Sequence, residues 1–242
     1  MKKTKYPEIY ENEQKLYTKN LVPGTVLFGE SLLKLDGTEY RHFDPTRSKL
    51  AASIMKKIRL SGVGQGDVML YLGASHGYTV SFLSDIVGQK GLVFAVDAAY
   101  KVFRSLYHVS NIRHNVVPLY ADAAKPEAYA RNICAVDVVY QDIAQKEQGE
   151  IFDANYTLYA KEGGIGILVV KARNIDVAGQ PQKIVDGVKK WLISKGYAVI
   201  DTKSLEPYQH DHALILVTKG EIKHPPRTNT VSIGVPQKNS KQ

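Results

Sequence analysis

The chain has little with which to cross-link itself or to enter a membrane. A single cysteine, Cys134, occurs in 242 residues and sits in an apolar stretch, so no internal disulfide can form and a reducing compartment is expected. No apolar run approaches the roughly 20 residues of a membrane span. The N-terminal MKKTKYPEIY carries the lysines of a secretory leader without the apolar core that should follow them. A cytoplasmic protein without a targeting segment is therefore expected. Acids are also scarce: 24 Asp and Glu face 32 Lys and Arg, a net charge of +8, which favours a polyanionic partner such as nucleic acid. The G-x-G-x-x-G spacing of dinucleotide folds is missing. Tyrosine is plentiful at 15, but the tyrosines are scattered and define no stacking platform.

What is present is a β-loop-α-β unit from Val68 to Asp97. An apolar run ends in a loop holding Gly73 and Gly77, a helix-like segment follows, and a second apolar run ends in an acid. Such a loop lets backbone approach a nucleotide-like ligand, and the acid one strand over can accept ribose hydroxyls. From about residue 65 the chain alternates strand and helix patterns. Strands are expected at 68–72, 92–97, 116–120, 136–141, 165–170, 197–202 and 213–218. Helices are expected at Tyr100–Arg113 and Gln182–Lys195, and the alternation implies a largely parallel sheet covered on both faces. Only about ten residues separate the last two strands, too few for a parallel crossover, so the last strand should be antiparallel.

Residues 1–45 read differently, as a small N-terminal β subdomain of short β-prone pieces around the turn signals Pro23-Gly24 and Asp36-Gly37. This part carries no obvious chemistry. Asp44-Pro45 supplies an N-cap and a first-turn proline for a helix running to about Ile58, with Leu50, Ala51, Ile54, Met55 and Ile58 buried. The main domain is taken as 46–220, and 221–242 as a flexible basic tail.

In an open α/β sheet, ligands bind beyond the carboxyl ends of the parallel strands. The Gly73–Gly77 loop, Asp97, Asp122, Asp142 and Lys171 all fall there, and a reversed last strand would start at the same rim and add His212. A polar strand end is ordinarily just where the chain meets water; their convergence is what argues for a site. His210 and His212 form an H-x-H pair, but without a third ligand nearby no metal site is expected. Arg47, Lys49, Lys56, Lys57 and Arg59 are candidate phosphate contacts, with a solvated helix face the plainer reading for the last three. His76 is either a loop residue beside a ligand or a histidine satisfied in the core.

Longer stretches carry a resemblance. TKNLVPG (18–24), EYRHFDPTRSKLAA (39–52), YLGASHGYTVSFLSDIVG (71–88), GLVFAVD (91–97), NVVPLYADAAKPEAY (115–129), VDVVYQDIAQ (136–145), KEGGIGILVVKARNID (161–176) and LEPYQHDHALILV (205–217) resemble, in order, the fibrillarin family in its compact archaeal form. The resemblance implies a Rossmann-like class I methyltransferase sheet of seven strands with the last strand antiparallel. It also implies an S-adenosyl-L-methionine-dependent RNA 2′-O-methyltransferase within a box C/D RNA–protein particle. The implied partners are a guide RNA, a target ribosomal or transfer RNA, a Nop-family scaffold and a kink-turn-binding ribosomal-type protein. Carried over, Gly73, Ala74, Gly77, Tyr78 and Thr79 wrap the methionine part of the cofactor. Asp97 holds the ribose, with Ala98 beside it, and Asp122 and Ala123 meet the adenine. Asp142, Ile143, Ala144 and Gln145 form the floor, and Lys49, Asp142, Lys171 and His212 are the catalytic set. Lys171 is read as the group that takes or steers the hydroxyl proton: a second ammonium at Lys49 and the cationic cofactor help it shed its own, while Asp142 opposes that.

Three positions depart from the family pattern. His76 and Tyr78 replace a small residue and a threonine, Asp97 replaces a glutamate, and Ala98 stands where an aromatic often packs on adenine. Two rival readings follow: a nonenzymatic particle subunit that has lost its cofactor, and a dinucleotide-dependent oxidoreductase.

Overall fold

The computed structural model describes residues 1–60 and 62–220; the expected basic tail, 221–242, lies outside the described residues. Five short strands form an antiparallel N-terminal sheet: β1 (Lys2–Lys3), β2 (Ile9–Asn12), β3 (Lys15–Lys19), β4 (Leu32–Leu35) and β5 (Thr38–His42), in the order β1-β2-β3-β5-β4. Of the β-prone stretch TVLFGESLL, only Leu32 and Leu33 enter a strand; the 25–30 segment passes through Gly29 at φ 71° and stays irregular.

The larger sheet holds β6 (Val68–Leu72), β7 (Leu92–Asp97), β8 (Val116–Tyr120), β9 (Val136–Gln141), β10 (Ala160–Lys171), β11 (Ala198–Ser204) and β12 (His212–Thr218), in the order β11-β12-β10-β9-β6-β7-β8. Strands β10, β9, β6, β7 and β8 pair in parallel, whereas β12 runs antiparallel to both β10 and β11. The seven expected strands are all present and the last is the reversed one. It lies between β10 and β11 rather than at the sheet's edge.

The pleat divides the core in two. Met69 and Tyr71 of β6, with Val138 and Tyr140 of β9, face α1 (Lys49–Met55), α2 (Tyr78–Val87), Leu106 of α3 (Tyr100–Ile112) and the buried side of the N-terminal sheet. Leu70, Leu72, Val139 and Phe94 face the opposite layer, where α4 (Gln148–Tyr159), a 3₁₀ turn (Pro126–Asn132) and α6 (Pro181–Ser194) lie. Alternate residues thus go to opposite faces, as strand geometry requires, and each fully buried Leu, Val or Phe contributes about 1.5–3 kcal/mol of transfer energy.

The helix after residue 44 differs from expectation. Asp44 does not cap it, because its carboxylate accepts from the amide and hydroxyl of Thr46 in a local turn, both at 2.8 Å. Ser48 is the N-cap, accepting weakly from Ala51 N at 3.4 Å, and α1 stops at Met55. Lys57 at φ 59° breaks the helix, so Ile58 is buried from outside it and Met55 only partly so. Cys134, despite its apolar neighbours, is exposed.

A second polar feature ties the two sheets. Arg41 of β5, fully buried, donates to Glu30 and to Asp85 of α2 at 2.8 Å, and Arg113 reaches the other Asp85 oxygen at 2.6 Å. Asp85 also accepts from the Thr18 hydroxyl and the Leu21 amide. Burial alone would push the Glu30 carboxyl up, but the Arg41 guanidinium and backbone donors outweigh it and hold it below its ordinary value. Arg41 also lies 4.2 Å from the Phe82 ring centre, and Phe82 stacks on Phe43.

Candidate active site

The chain leaves β6 toward β7 and β8 on one side and returns to β9 and β10 on the other, so the topological switch lies between β6 and β9. Ligands of open α/β sheets sit beyond the strand ends at that point. Gly73 and Asp142 are the residues there, and Asp142 extends the ladder by donating its amide to the Leu72 carbonyl at 2.9 Å. Gly73 has φ 82°, and a Cβ on it would come within 2.6 Å of the Asp142 carbonyl oxygen. Only glycine leaves that passage open.

Asp142 is held between two amines. Lys171 Nζ, at the end of β10, lies 2.8 Å from Oδ1 and donates to the Asp142 carbonyl at 3.1 Å; Lys49 Nζ, at the start of α1, lies 3.0 Å from Oδ2. The side chains are 9% (Asp142), 15% (Lys171) and 22% (Lys49) exposed, so the carboxylate lies deepest and the two amines border the hollows. His212 opens β12 directly opposite Lys171 in the antiparallel register. Burial pushes its imidazole below the ordinary value; the His210 carbonyl and Asp142 oppose this, and the charges of Lys49 and Lys171 add to it. The His210 carbonyl can only accept, so His212 Nδ1 carries the proton in that contact. In the neutral ring Nε2 is then a lone-pair acceptor.

Residues absent from the sequence reading hold this set in place. Gln148, buried in α4, accepts from the Lys171 amide at 2.9 Å, and its own carbonyl accepts from the Gln141 side chain. Ser48 accepts from the Thr79 hydroxyl at 3.1 Å, which links the Lys49 helix to the glycine loop. Tyr71 and Tyr140 stack under the floor, 4.5 Å apart and nearly parallel. Burial holds both phenols far above their ordinary range, and the nearby Asp142 charge adds to this. A buried glutamine on a polar helix carries no distinctive local pattern, so only the fold reveals Gln148.

Two hollows meet at Gly73 and Asp142. One, about 360 Å³, is lined by Asp97, Ala98, Asp122, Ala123, Ile143, Ala144, Gln145 and Lys171. The other, about 920 Å³, is lined by Lys49, Tyr71, Ser75, His76, Tyr78 and Thr79, and also by Leu27 and Phe28 from the segment expected to carry no chemistry. His76 is thus an exposed loop residue beside the cleft. Gly77 and Ala74 are buried in the turn, joined by an amide-to-carbonyl bond of 3.0 Å. Asp97 is oriented by accepting from the Ser75 amide at 2.7 Å and the Ala99 amide at 2.9 Å, and Asp122 accepts from Ala124. Among the described residues no cluster of three metal-ligating side chains forms, and no helix is long and apolar enough to cross a membrane. Lys56 and Lys57 point to solvent, and Arg59 bonds to Asp201 of β11.

The parallel sheet with one reversed strand, the glycine passage and the acid ending β7 define a Rossmann-like class I methyltransferase fold. Comparison with known proteins sharpens this. The fibrillarin family profile matches residues 1–221. A "Fibrillarin-like rRNA/tRNA 2'-O-methyltransferase" from Thermococcus onnurineus is 42% identical over 224 residues, covering 90% of this chain and 99% of that protein. The solved Aeropyrum pernix fibrillarin, in complex with natively bound S-adenosyl-L-methionine, is 36% identical with a TM-score of 0.83, covering 90% of this chain and 96% of that one. A fibrillarin from a solved fibrillarin/Nop5p complex is 38% identical with a TM-score of 0.80, covering 88% and 98%. The chain belongs to the fibrillarin family.

Proposed function

We propose that this chain is a guide-RNA-directed RNA ribose 2′-O-methyltransferase, the catalytic subunit of a box C/D RNA–protein particle. The observation that carries the reading is the Lys49–Asp142–Lys171 arrangement where the two hollows meet, with His212 opposite Lys171 in the strand register. Family membership and the relatives' names for their activity support it. It excludes the oxidoreductase reading, for which the glycine spacing is also wrong.

The residues present fit S-adenosyl-L-methionine. Without a Cβ at 73, the chain can pass close to a ligand lying across both hollows. Asp97, fixed by two amides, presents its carboxylate to a ribose. Asp122 and Ala123 border the adenine end, and Ile143, Ala144 and Gln145 the floor. The first turn of α2, entered through Ala74, Gly77, Tyr78 and Thr79, has amides with no helical acceptor, which suits the ligand's carboxylate. Compared with the family pattern, the short Asp97 leaves more room on the ribose side and the small Ala98 on the adenine side.

When bound, this cofactor supplies the methyl group as an electrophile. The protein's task is then to align the 2′ oxygen and dispose of its proton. Asp142 fixes both amines by ion pairs, one to each carboxylate oxygen. Lys171 takes or steers the hydroxyl proton, and Lys49 keeps the carboxylate from turning away. His212, neutral and with Nε2 free to accept, orients the hydroxyl and can take the proton onward. Residues 1–45 act as a subdomain that supplies one wall of the cleft.

The Nop-family scaffold is inferred from the solved fibrillarin/Nop5p complex. Guide RNA, a target ribosomal or transfer RNA and a kink-turn-binding protein complete the particle. A cytoplasmic location fits this assembly. A methylation assay with guide, target and partner proteins, omitting each in turn, tests the reading; transfer that ignores omission of the guide overturns the guided part. Calorimetric titration with S-adenosyl-L-methionine separates this reading from a nonenzymatic subunit, which would not bind at millimolar cofactor.

A further inference from the structure

Arg47 precedes the Lys49 helix and lines the larger cleft, yet it belongs to neither ion cluster. Its guanidinium carbon lies 4.2 Å from the centre of the Tyr78 ring, and Nη1 donates to the Phe28 carbonyl at 2.9 Å. Tyr78 is itself held: Phe28 meets it edge-on at 5.5 Å, and its hydroxyl accepts from the Asp44 amide at 3.3 Å. An exposed arginine is therefore ordered in advance, with Nε and Nη2 uncommitted. Among the described residues no carboxylate pairs with Arg47, nor with Lys101 or Arg104, which line the same cleft from α3. Unpaired cations around a cleft whose one acid, Asp142, is already shared by two lysines call for an anion from outside.

The chemistry of that anion follows from the proposed function, on which this inference rests. A ribose 2′ oxygen and the 3′ phosphate sit on adjacent carbons, so a site that fixes one must meet the other. A planar guanidinium held on an aromatic face suits a phosphodiester, because its fork meets two oxygens at once. We propose that Arg47 grips a phosphate flanking the target ribose, and that Tyr78 is the positioning residue that holds Arg47 for it. The Tyr78 ring, a departure from the family pattern, thereby serves RNA, while its backbone stays in the cofactor loop.

The test uses the full chain in its assembled particle with a guide–target RNA duplex. Binding is read with S-adenosylhomocysteine present at several salt concentrations, and turnover separately with S-adenosyl-L-methionine. Arg47→Ala should raise KM for target RNA about tenfold, with a smaller fall in kcat, and reduce the slope of log affinity against log salt by about one. Arg47→Lys should recover less than half of the loss, having charge without the fork. Tyr78→Thr should cost a few-fold in KM and add nothing on top of Arg47→Ala, since both act through one contact. Cofactor affinity should stay unchanged in both Arg47 variants. An unchanged salt slope in Arg47→Ala, or additive losses in the double variant, overturns the proposal. A wild-type particle that binds RNA with this slope but transfers no methyl group would instead overturn the functional reading alone.

Discussion

Asp85 and Asp142 are each bridged at close range by two cations, and they serve opposite ends. Asp85 lies between Arg41 and Arg113, all three side chains at 0% exposure, at the seam of the two sheets. Asp142 lies between Lys49 and Lys171, partly exposed at a cleft. Arginine stays charged under all ordinary conditions and presents a fixed fork, which suits a permanent joint. Lysine carries a compact ammonium that can move and exchange its proton, which suits a site where a hydroxyl must lose one. Similar topology, with different cations and different access to water, separates a structural joint from the proposed reactive one.

The sharpest way to break this contrast is Lys171→Ala. Transfer should fall by about 10²–10⁴-fold, the range for a lost acid–base group, while calorimetry shows nearly unchanged cofactor affinity; wild-type-like turnover would remove the assignment. Asp142→Asn should lower transfer similarly but change stability by about 1 kcal/mol or less, since its lysines can turn to water. The matching change at the joint, Asp85→Ala, should cost about 3–5 kcal/mol in denaturant unfolding because it leaves buried Arg113 with no carboxylate partner and Arg41 with Glu30 alone. Equal stability losses at the two aspartates would erase the distinction. Gly73→Ala ranks next. Its Cβ would meet the Asp142 carbonyl, and the strained backbone should cost about 1–3 kcal/mol and weaken cofactor binding.

The smallest effect is in the pH response. The His212 value is lowered in the folded chain, so between that value and the ordinary one of about 6.5 the unfolded chain binds more protons. Stability therefore rises with pH through that window; acidification through it costs stability, and below it Nε2 is filled. Glu30 is lowered as well; its stabilising contribution is complete above the ordinary value of about 4.3 and is lost as pH falls through the folded one. Transfer should thus fall off at a higher pH than the fold does. Rate and unfolding profiles that coincide would count against separate clusters.

Much of the candidate site's placement was legible because strand ends are. Asp97, Asp142 and Lys171 each close an apolar run, and a short connection forces β12 to return, which brings His212 to the same rim. The N-terminal segment differs from expectation because its cleft contacts span some fifty residues of chain: Phe28 looks like any β-prone aromatic until the fold sets it against Tyr78. Asp44-Pro45 looked like a cap because local chemistry offered one, and the Thr46 turn took that carboxylate first. Tyrosines scattered in sequence also gather in space, as Tyr71 and Tyr140 do beneath the floor.

The sequence by itself determined the alternation of strands and helices, the reversal of the last strand and the family, because periodicity, loop length and ordered motifs are local or cumulative properties of the chain. Only the tertiary structure decided which charges pair, that Gln148 and Ser48 steady the lysines, and that Arg47 is held ready on Tyr78. Those outcomes depend on distances of a few ångströms between residues far apart in the chain, which no local pattern encodes.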